Sequence, residues 1–309
     1  MLAVTAHDRV PPGPVAVLAN PTAGRGRHRG LLPGILERLA GAGRPVELLR
    51  ARTPEEAEAA CHAAVAGGAG ALVAVGGDGT MHRALQAVAG TDVPFGPVPA
   101  GTGNDFAVDT GFPADPVAAV EVIADALAAG RARSVDLARL SRRGEADRWF
   151  GAVLAAGFDA IVNERANRMR WPRGPRRYDL AIVVELARLR PRRYRLVLDG
   201  VAQEVDAVLV AVGNTASYGG GMRICPDADP HDGLLDVVVG GRFDRRTLMR
   251  VKPQIYRGTP CHAPAGARLP GAVLFYLAAE GITSYADGER SLDLPVTVTA
   301  VPAALRLLR

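Results

Sequence analysis

Ala71-Leu72-Val73-Ala74-Val75-Gly76-Gly77-Asp78-Gly79-Thr80 joins an unbroken apolar run to a glycine-rich turn that carries one carboxylate. The apolar run fits a buried strand, and the glycines mark a strand-to-helix turn after it. A second such arrangement follows, in which Pro94 to Val98 leads into Pro99-Ala100-Gly101-Thr102-Gly103-Asn104-Asp105-Phe106. Glycine lets a ligand approach the backbone closely, and a helix N-terminus presents unpaired N–H groups and partial positive charge, which suit phosphate. A carboxylate among such amides repels phosphate unless a cation lies between them. Asp78 therefore makes the pair of turns read as a metal-nucleotide site.

Outward from these turns, Val15 to Val98 alternates strand and helix. One helix spans Pro54 to Ala66, with Thr53 as N-cap and Glu55 and Glu56 in its first turn. Alternation of this kind predicts a parallel sheet covered by helices, whose ligands bind beyond the carboxyl ends of the strands. Asn20 to Arg29, Gly76 to Thr80 and Pro99 to Asp105 all emerge at that edge. The first of these loops, Gly24-Arg25-Gly26-Arg27-His28-Arg29-Gly30, has three residues before its last glycine where a dinucleotide fingerprint has two. After a helix from about Pro116 to Gly130 the pattern changes to strands with few helices: Ser134 to Leu140, Trp149 to Ala155, Tyr194 to Leu198, Val205 to Val212, Leu234 to Val239 and Val273 to Ala278. A β-rich second domain is expected there.

Composition narrows the classes. The 309 residues are 48% hydrophobic and 22% charged, enough for a sizeable core and two domains. No apolar run approaches the 18 or so residues of a spanning helix, and Met1 to Val10 lacks a signal-peptide core, so a soluble cytoplasmic protein is expected. Cys61, Cys225 and Cys261 are odd in number and widely spaced, which favours core packing over disulfides or zinc. Lys252 is the only lysine among 37 basic residues. That count excludes a P-loop enzyme and a protein kinase, both of which need a motif lysine, and compositional bias accounts for the skew. Residues 165 to 195 hold eleven arginines against Asp179 and Glu185. Within them, Met169 to Tyr178 interleaves cations with Trp171 and Tyr178, which suits an anionic membrane interface or a solvated loop. Nucleic acid is not the expected partner, since no RNA- or DNA-binding signature accompanies the charge.

The two glycine turns resemble those of the diacylglycerol kinase and sphingosine kinase catalytic family, whose nucleotide domain is similar to those of phosphofructokinase and NAD kinase. Further blocks follow in family order: Asn20-Pro21-Thr22-Ala23-Gly24, Gly157-Phe158-Asp159-Ala160, Tyr218-Gly219-Gly220-Gly221-Met222 through Asp232-Gly233-Leu234-Leu235-Asp236, and Asp287-Gly288-Glu289. The resemblance implies an α/β fold with a doubly wound nucleotide domain over residues 1–132, rejoined by 295–309, and a sandwich-like lipid domain over 133–294. It places the active site in the cleft between domains.

ATP and Mg2+ are the cofactors so implied. The nucleotide set by match is Asn20, Pro21, Thr22, Gly24, Arg25, Arg27, Gly76, Gly77, Asp78, Gly79, Thr80, Gly101, Thr102, Asn104 and Asp105. Phosphoryl transfer also needs a carboxylate to accept the acceptor's proton. The resemblance gives that role to Asp287, with Glu289 assisting at the metal or the base. A structural magnesium is implied at Asp229, Asp232 and the carbonyl of Leu234, and Asp136 matches an acidic position that joins this region to the active site. The acceptor is a lipid at a membrane surface, with diacylglycerol first and a sphingoid base, glycolipid or phosphatidylglycerol as alternatives. Homodimerisation stays open.

There are three departures from the family pattern: Ala23 where serine is common, His82-Arg83 where Asn-Glu is usual, and Val108 where arginine is frequent. His82 is expected on a helix surface. The departures motivate an inactive lipid-binding protein as a rival reading, opposed by Asp78, Asp287 and Glu289. NAD kinase is a second rival through the shared GGDGT, opposed by PAGTGNDFA.

Overall fold

A computed structural model describes residues 10–20, 29–169, 171, 176–241, 266–272 and 274–309. Contacts divide the chain into a first unit of residues 1–137 and 302–309 and a second unit of 138–301.

In chain order the first unit holds β1 (Val15–Ala19), α1 (Leu32–Ala40), β2 (Val46–Leu49), α2 (Pro54–Ala66), β3 (Ala71–Gly76), α3 (Asp78–Val88), β4 (Phe95–Pro99), α4 (Asp105–Asp109) and α5 (Pro116–Ala128). Its strands pair in parallel in the order β2-β1-β3-β4. β1, β3 and β4 are apolar and almost wholly buried, as a sheet covered on both faces requires. Helix starts follow local chemistry. Thr53 Oγ1 accepts from Glu56 N–H at 3.2 Å, and Asp115 Oδ1 accepts from Ala118 N–H at 2.9 Å, with proline opening both helices.

β5 (Arg133–Ser141) carries the chain into the second unit. There follow β6 (Arg148–Phe150), β7 (Val153–Gly157), α6 (Phe158–Arg168), α7 (Arg176–Ala187), β8 (Arg192–Leu198), β9 (Val201–Ala207), β10 (Leu209–Gly213), β11 (Leu235–Gly240), β12 (Gly266–Ala272), β13 (Leu274–Ala278), β14 (Thr283–Ala286), β15 (Glu289–Asp293) and β16 (Val296–Leu307). One antiparallel sheet runs β12-β11-β10-β7-β14-β15, and in another the first half of β16 pairs with β13, β13 with β8, and β8 with β9. Their facing residues make one core, with Leu154, Val210, Val212 and Val237 from the first sheet and Tyr194, Leu196, Phe275 and Val298 from the second. This is a β-sandwich-like domain. Cys61 and Cys225 are buried thiols, while Cys261 falls outside the described residues.

β16 then returns to the first unit, where Leu307 lies parallel beside Phe95 of β4. Arg306 Nη1 donates to the Asp92 carbonyl at 2.6 Å, and Arg309 Nη1 to the Thr110 carbonyl at 2.8 Å.

Three expectations are corrected. Val205 to Val212 is two strands, because β9 pairs with β8 in one sheet while β10 pairs with β11 and β7 in the other, and the chain changes sheet at Val208. Trp149 to Ala155 is likewise interrupted at Gly151-Ala152. Third, the span between β7 and β8, read only as an arginine-rich stretch, holds two helices among its described residues. α6 and α7 close on each other through Val162, Ala166 and Ala181, a small core apart from the sandwich.

Candidate nucleotide and phosphoryl-transfer site

β3 and β4 are neighbours in register, Gly76 beside Pro99, so both glycine turns leave the same sheet edge. They touch backbone to backbone. A Cβ at Gly101 would overlap the Cα of Gly77 and come within 2.9 Å of Asn104 Oδ1, so nothing larger than hydrogen fits between the turns. Ala100 N–H donates to the Gly76 carbonyl at 2.7 Å, which fixes the second turn against the first. Gly77 caps α3, and Asp78 and Thr80 occupy that helix's first turn, where the dipole favours a carboxylate.

Asn104 organises the second turn. Its backbone is left-handed (φ 65°, ψ 31°), a conformation asparagine tolerates. Its Oδ1 accepts from Gly101 N–H at 2.9 Å, and its own N–H donates to Asp78 Oδ2 at 2.8 Å. Asp78 is thus tied to the opposite turn. Asp105 opens α4 and is only 6% exposed, whereas Thr102 and Asn20 are exposed and Asn20 N–H donates to the Val75 carbonyl. The residues of the two turns are therefore assembled together with Asn20. Pro21, Thr22, Gly24, Arg25 and Arg27 lie outside the described residues. A cradle lined by amides, in which a Cβ cannot stand and one carboxylate is held, matches what a metal-bound polyphosphate requires.

In the second unit, Asp287-Gly288 is the two-residue turn between β14 and β15, with φ of 51° and 82°. Two successive left-handed residues make the turn that matches strand twist, for which Asp-Gly is a preferred pair. The Asp287 carboxylate reaches back to the break between β6 and β7. Its Oδ1 accepts from Ala152 N–H at 2.8 Å and its Oδ2 from Gly151 N–H at 3.1 Å, while its own N–H donates to the Val153 carbonyl. Both oxygens are fixed, and each keeps capacity for a further donor. Glu289 begins β15 opposite Ala286 and is half-buried.

Asp229 and Asp232 are exposed, and each closes a local turn: Asp229 Oδ1 accepts from His231 N–H at 3.1 Å, Asp232 Oδ1 from Leu234 N–H at 2.9 Å. No cluster of three acidic, histidine or cysteine ligands occurs among the described residues. Asp136 Oδ1 accepts from Ala303 N–H at 2.7 Å, joining β5 to β16.

His82 is corrected from surface to interior: it is 2% exposed on α3, a helix buried on several sides, and Arg83 instead reaches Glu58 of α2 at 3.1 Å. Residues without an assigned role also emerge. α6 presents two acids to two phenols. Tyr218 Oη donates to Asp159 Oδ2 at 2.6 Å, and Tyr285 Oη donates to Glu164 Oε2 at 2.8 Å and accepts from Asn167 at 3.2 Å. Burial raises the Asp159 carboxyl above its ordinary value, against the pull of Tyr218 and Ala160 N–H. Burial, with the Glu164 bond added, pushes the Tyr285 phenol up to about 12. The signal available was that Asp159, Tyr218 and the neighbourhood of Tyr285 fall in or beside quoted sequence blocks.

Paired glycine turns on a parallel sheet, followed by an antiparallel sandwich, define a phosphotransferase of the nucleotide-binding α/β type. Residues 14–140 match the diacylglycerol kinase catalytic domain, and 152–309 match the YegS C-terminal NAD kinase beta sandwich-like domain. The chain belongs to the diacylglycerol kinase family of lipid kinases. It is 43% identical over 299 residues to a diacylglycerol kinase of Mycobacterium tuberculosis, covering 96% of this chain and 95% of that one. A YegS-like lipid kinase of Xanthomonas oryzae is 30% identical over 82% of each chain. Among solved structures, a diacylglycerol kinase of Bacillus anthracis superposes with TM-score 0.70 at 21% identity over 95% of this chain and 96% of that one. An NAD kinase of Archaeoglobus fulgidus in complex with ATP gives 0.54 at 17%, over 95% and 92%. These last two likenesses are of fold. The nucleotide substrate follows from the family.

Proposed function

We propose that the chain transfers the γ-phosphoryl group of ATP to the primary hydroxyl of diacylglycerol, giving phosphatidic acid. The observation that carries this reading is the Asp287 carboxylate, held by two backbone amides at a hairpin tip in a chain whose other unit carries the paired glycine cradle. The acceptor is taken from the name of the Mycobacterium tuberculosis relative. Asp287 takes the hydroxyl proton as the acceptor oxygen bonds to the γ-phosphorus and the bond to ADP breaks. Amides at Gly151 and Ala152 orient the carboxylate so that little rearrangement is needed, and Glu289 assists. Phosphates lie against the amides of the two turns, and the resemblance adds Arg25 and Arg27, which lie outside the described residues, as cations for them. Mg2+, held by Asp78, would supply neutralising charge to the phosphates, and a second ion at Asp229, Asp232 and the Leu234 carbonyl would be structural.

The enzyme works on the cytoplasmic side of a membrane. Among the described residues no helix is long and apolar enough to cross one. Trp171 is 79% exposed within the arginine-rich stretch, which supports peripheral attachment to anionic lipid.

The test incubates purified protein with labelled ATP and a total lipid extract, resolving products by mass. Labelled phosphatidic acid is expected. Phosphorylation of a sphingoid base, glycolipid or phosphatidylglycerol would replace the acceptor, ATP consumption that needs NAD would overturn the lipid reading, and no lipid-dependent consumption would leave a lipid-binding protein without activity.

A further inference from the structure

Two adjoining hollows of about 540 and 460 Å³ share Ile161, Arg165, Glu185 and Arg192 and form one groove beside α6, α7 and β8. Its size suits a drug-sized or single-chain ligand. Phe158, Ile161, Leu189 and Val208 give an apolar floor. The rim carries Arg165, Arg168, Arg188, Arg190 and Arg192 against Glu164 and Glu185.

The acids are already matched. Arg165 pairs with Glu185, Arg168 pairs with Glu164 at 2.6 Å, and Arg192 Nη1 donates to the Glu280 carbonyl, at 3.1 Å. Arg188 and Arg190 are exposed, and among the described residues neither side chain forms an ion pair or hydrogen bond. Among the described residues, the three guanidinium groups of Arg188-Leu189-Arg190-Pro191-Arg192 thus have no carboxylate partner around an apolar floor. A phosphomonoester carries about −1.5 to −2 charges near pH 7 and three acceptor oxygens, which complements such a cluster.

The groove is separate from the proposed reacting centre. Thr283 lines it at the start of β14, whereas Asp287 follows the other end, four residues or roughly 13 Å along the strand. Phe158 likewise follows the far end of β7 from Gly151 and Ala152, which hold Asp287.

We propose that this groove is a second lipid site, which binds a single-chain phosphomonoester lipid with its phosphate on Arg188, Arg190 and Arg192 and its chain on Phe158, Ile161, Leu189 and Val208. This ligand shares the phosphomonoester headgroup of the proposed reaction's product but carries one chain where that product carries two. Binding does not depend on turnover.

Calorimetric titration of the full chain with lysophosphatidate below its micelle concentration tests this without ATP. One equivalent should bind to the wild type, with affinity reduced about 10-fold or more in Arg188→Gln/Arg190→Gln, a double change at exposed positions. Glycerol 3-phosphate and monoacylglycerol, which carry the head and the chain separately, should each bind at least about 10-fold more weakly than the whole. Asp287→Asn should bind lysophosphatidate as the wild type does. Equal affinity in the double variant, or equal binding of glycerol 3-phosphate, or equal binding of monoacylglycerol, would overturn the site as described. Loss of binding in Asp287→Asn would relocate the ligand to the reacting centre.

Discussion

One methyl group added at Gly101 tests the cradle directly. Its Cβ would overlap the Gly77 Cα and approach Gly77 N to 3.1 Å and Asn104 Oδ1 to 2.9 Å. The first two are backbone atoms of the turn into α3, so no side-chain rotation relieves the overlap and the turns must separate. Overpacking of this kind costs about 1–3 kcal/mol. At about 2–4 °C per kcal/mol for a unit of this size, Gly101→Ala should melt about 2–12 °C lower. Nucleotide binding should suffer further, because the same displacement breaks the bond from Gly101 N–H to Asn104 and loosens the one from Asn104 N–H to Asp78. A loss of about 10-fold or more is expected from one such charge-linked bond. Gly34 is the control: it lies inside α1 with no atom within 4 Å of an added Cβ, so Gly34→Ala should raise stability by about 0.4–1 kcal/mol. Calorimetric melting and ATP titration of both variants give the answer. If Gly101→Ala melts with the wild type and binds ATP equally well, close contact between the turns is not what the glycines serve.

Asp287→Asn should lower turnover by roughly 10² to 10⁴ fold with nucleotide affinity little changed, and near-normal turnover would remove it from the chemistry. Asp159 is raised above its ordinary 3.8, so its contribution to stability is full below 3.8 and lost as pH rises through the elevated folded value. Asp159→Asn should therefore melt higher than the wild type at neutral pH, with the difference closing below pH 3.8; a difference constant with pH would show that burial of the charge is not its cause. If Asp229 and Asp232 hold magnesium, added Mg2+ should raise the melting temperature of the wild type progressively and leave Asp232→Ala unmoved. Identical responses would assign that acidic run to turn geometry alone.

The first unit was legible because its signals are local. Thr53 caps α2 by accepting from Glu56 N–H three residues on, Glu55 and Glu56 sit in its first turn, and the apolar runs before each glycine turn became β3 and β4. The Asp287 anchor was not legible, since its partners Gly151 and Ala152 lie 136 and 135 residues away and look like an ordinary strand interior. α6 and α7 escaped notice because arginines punctuate their apolar positions and only their mutual packing buries Val162 and Ala181. His82 misled for a related reason. Polarity predicts exposure, yet α3 is enclosed widely enough that Gln86 is buried on it as well.

The division of the first unit between residues 1–137 and 302–309 has a consequence during synthesis. Residues 138–301 form a continuous unit that is complete before the last strand segment leaves the ribosome. At about 5–20 residues per second, the sheet ending in β4 waits roughly 10–40 s for Leu307, Arg306 and Arg309 to dock. Throughout that interval Phe95, the Asp92 carbonyl and the Thr110 carbonyl lack their eventual neighbours, leaving an unfinished sheet edge on the nascent chain. Nucleotide that binds the two turns would then act as a late-stage folding ligand, stabilising the finished sheet once translation has passed residues 138–301.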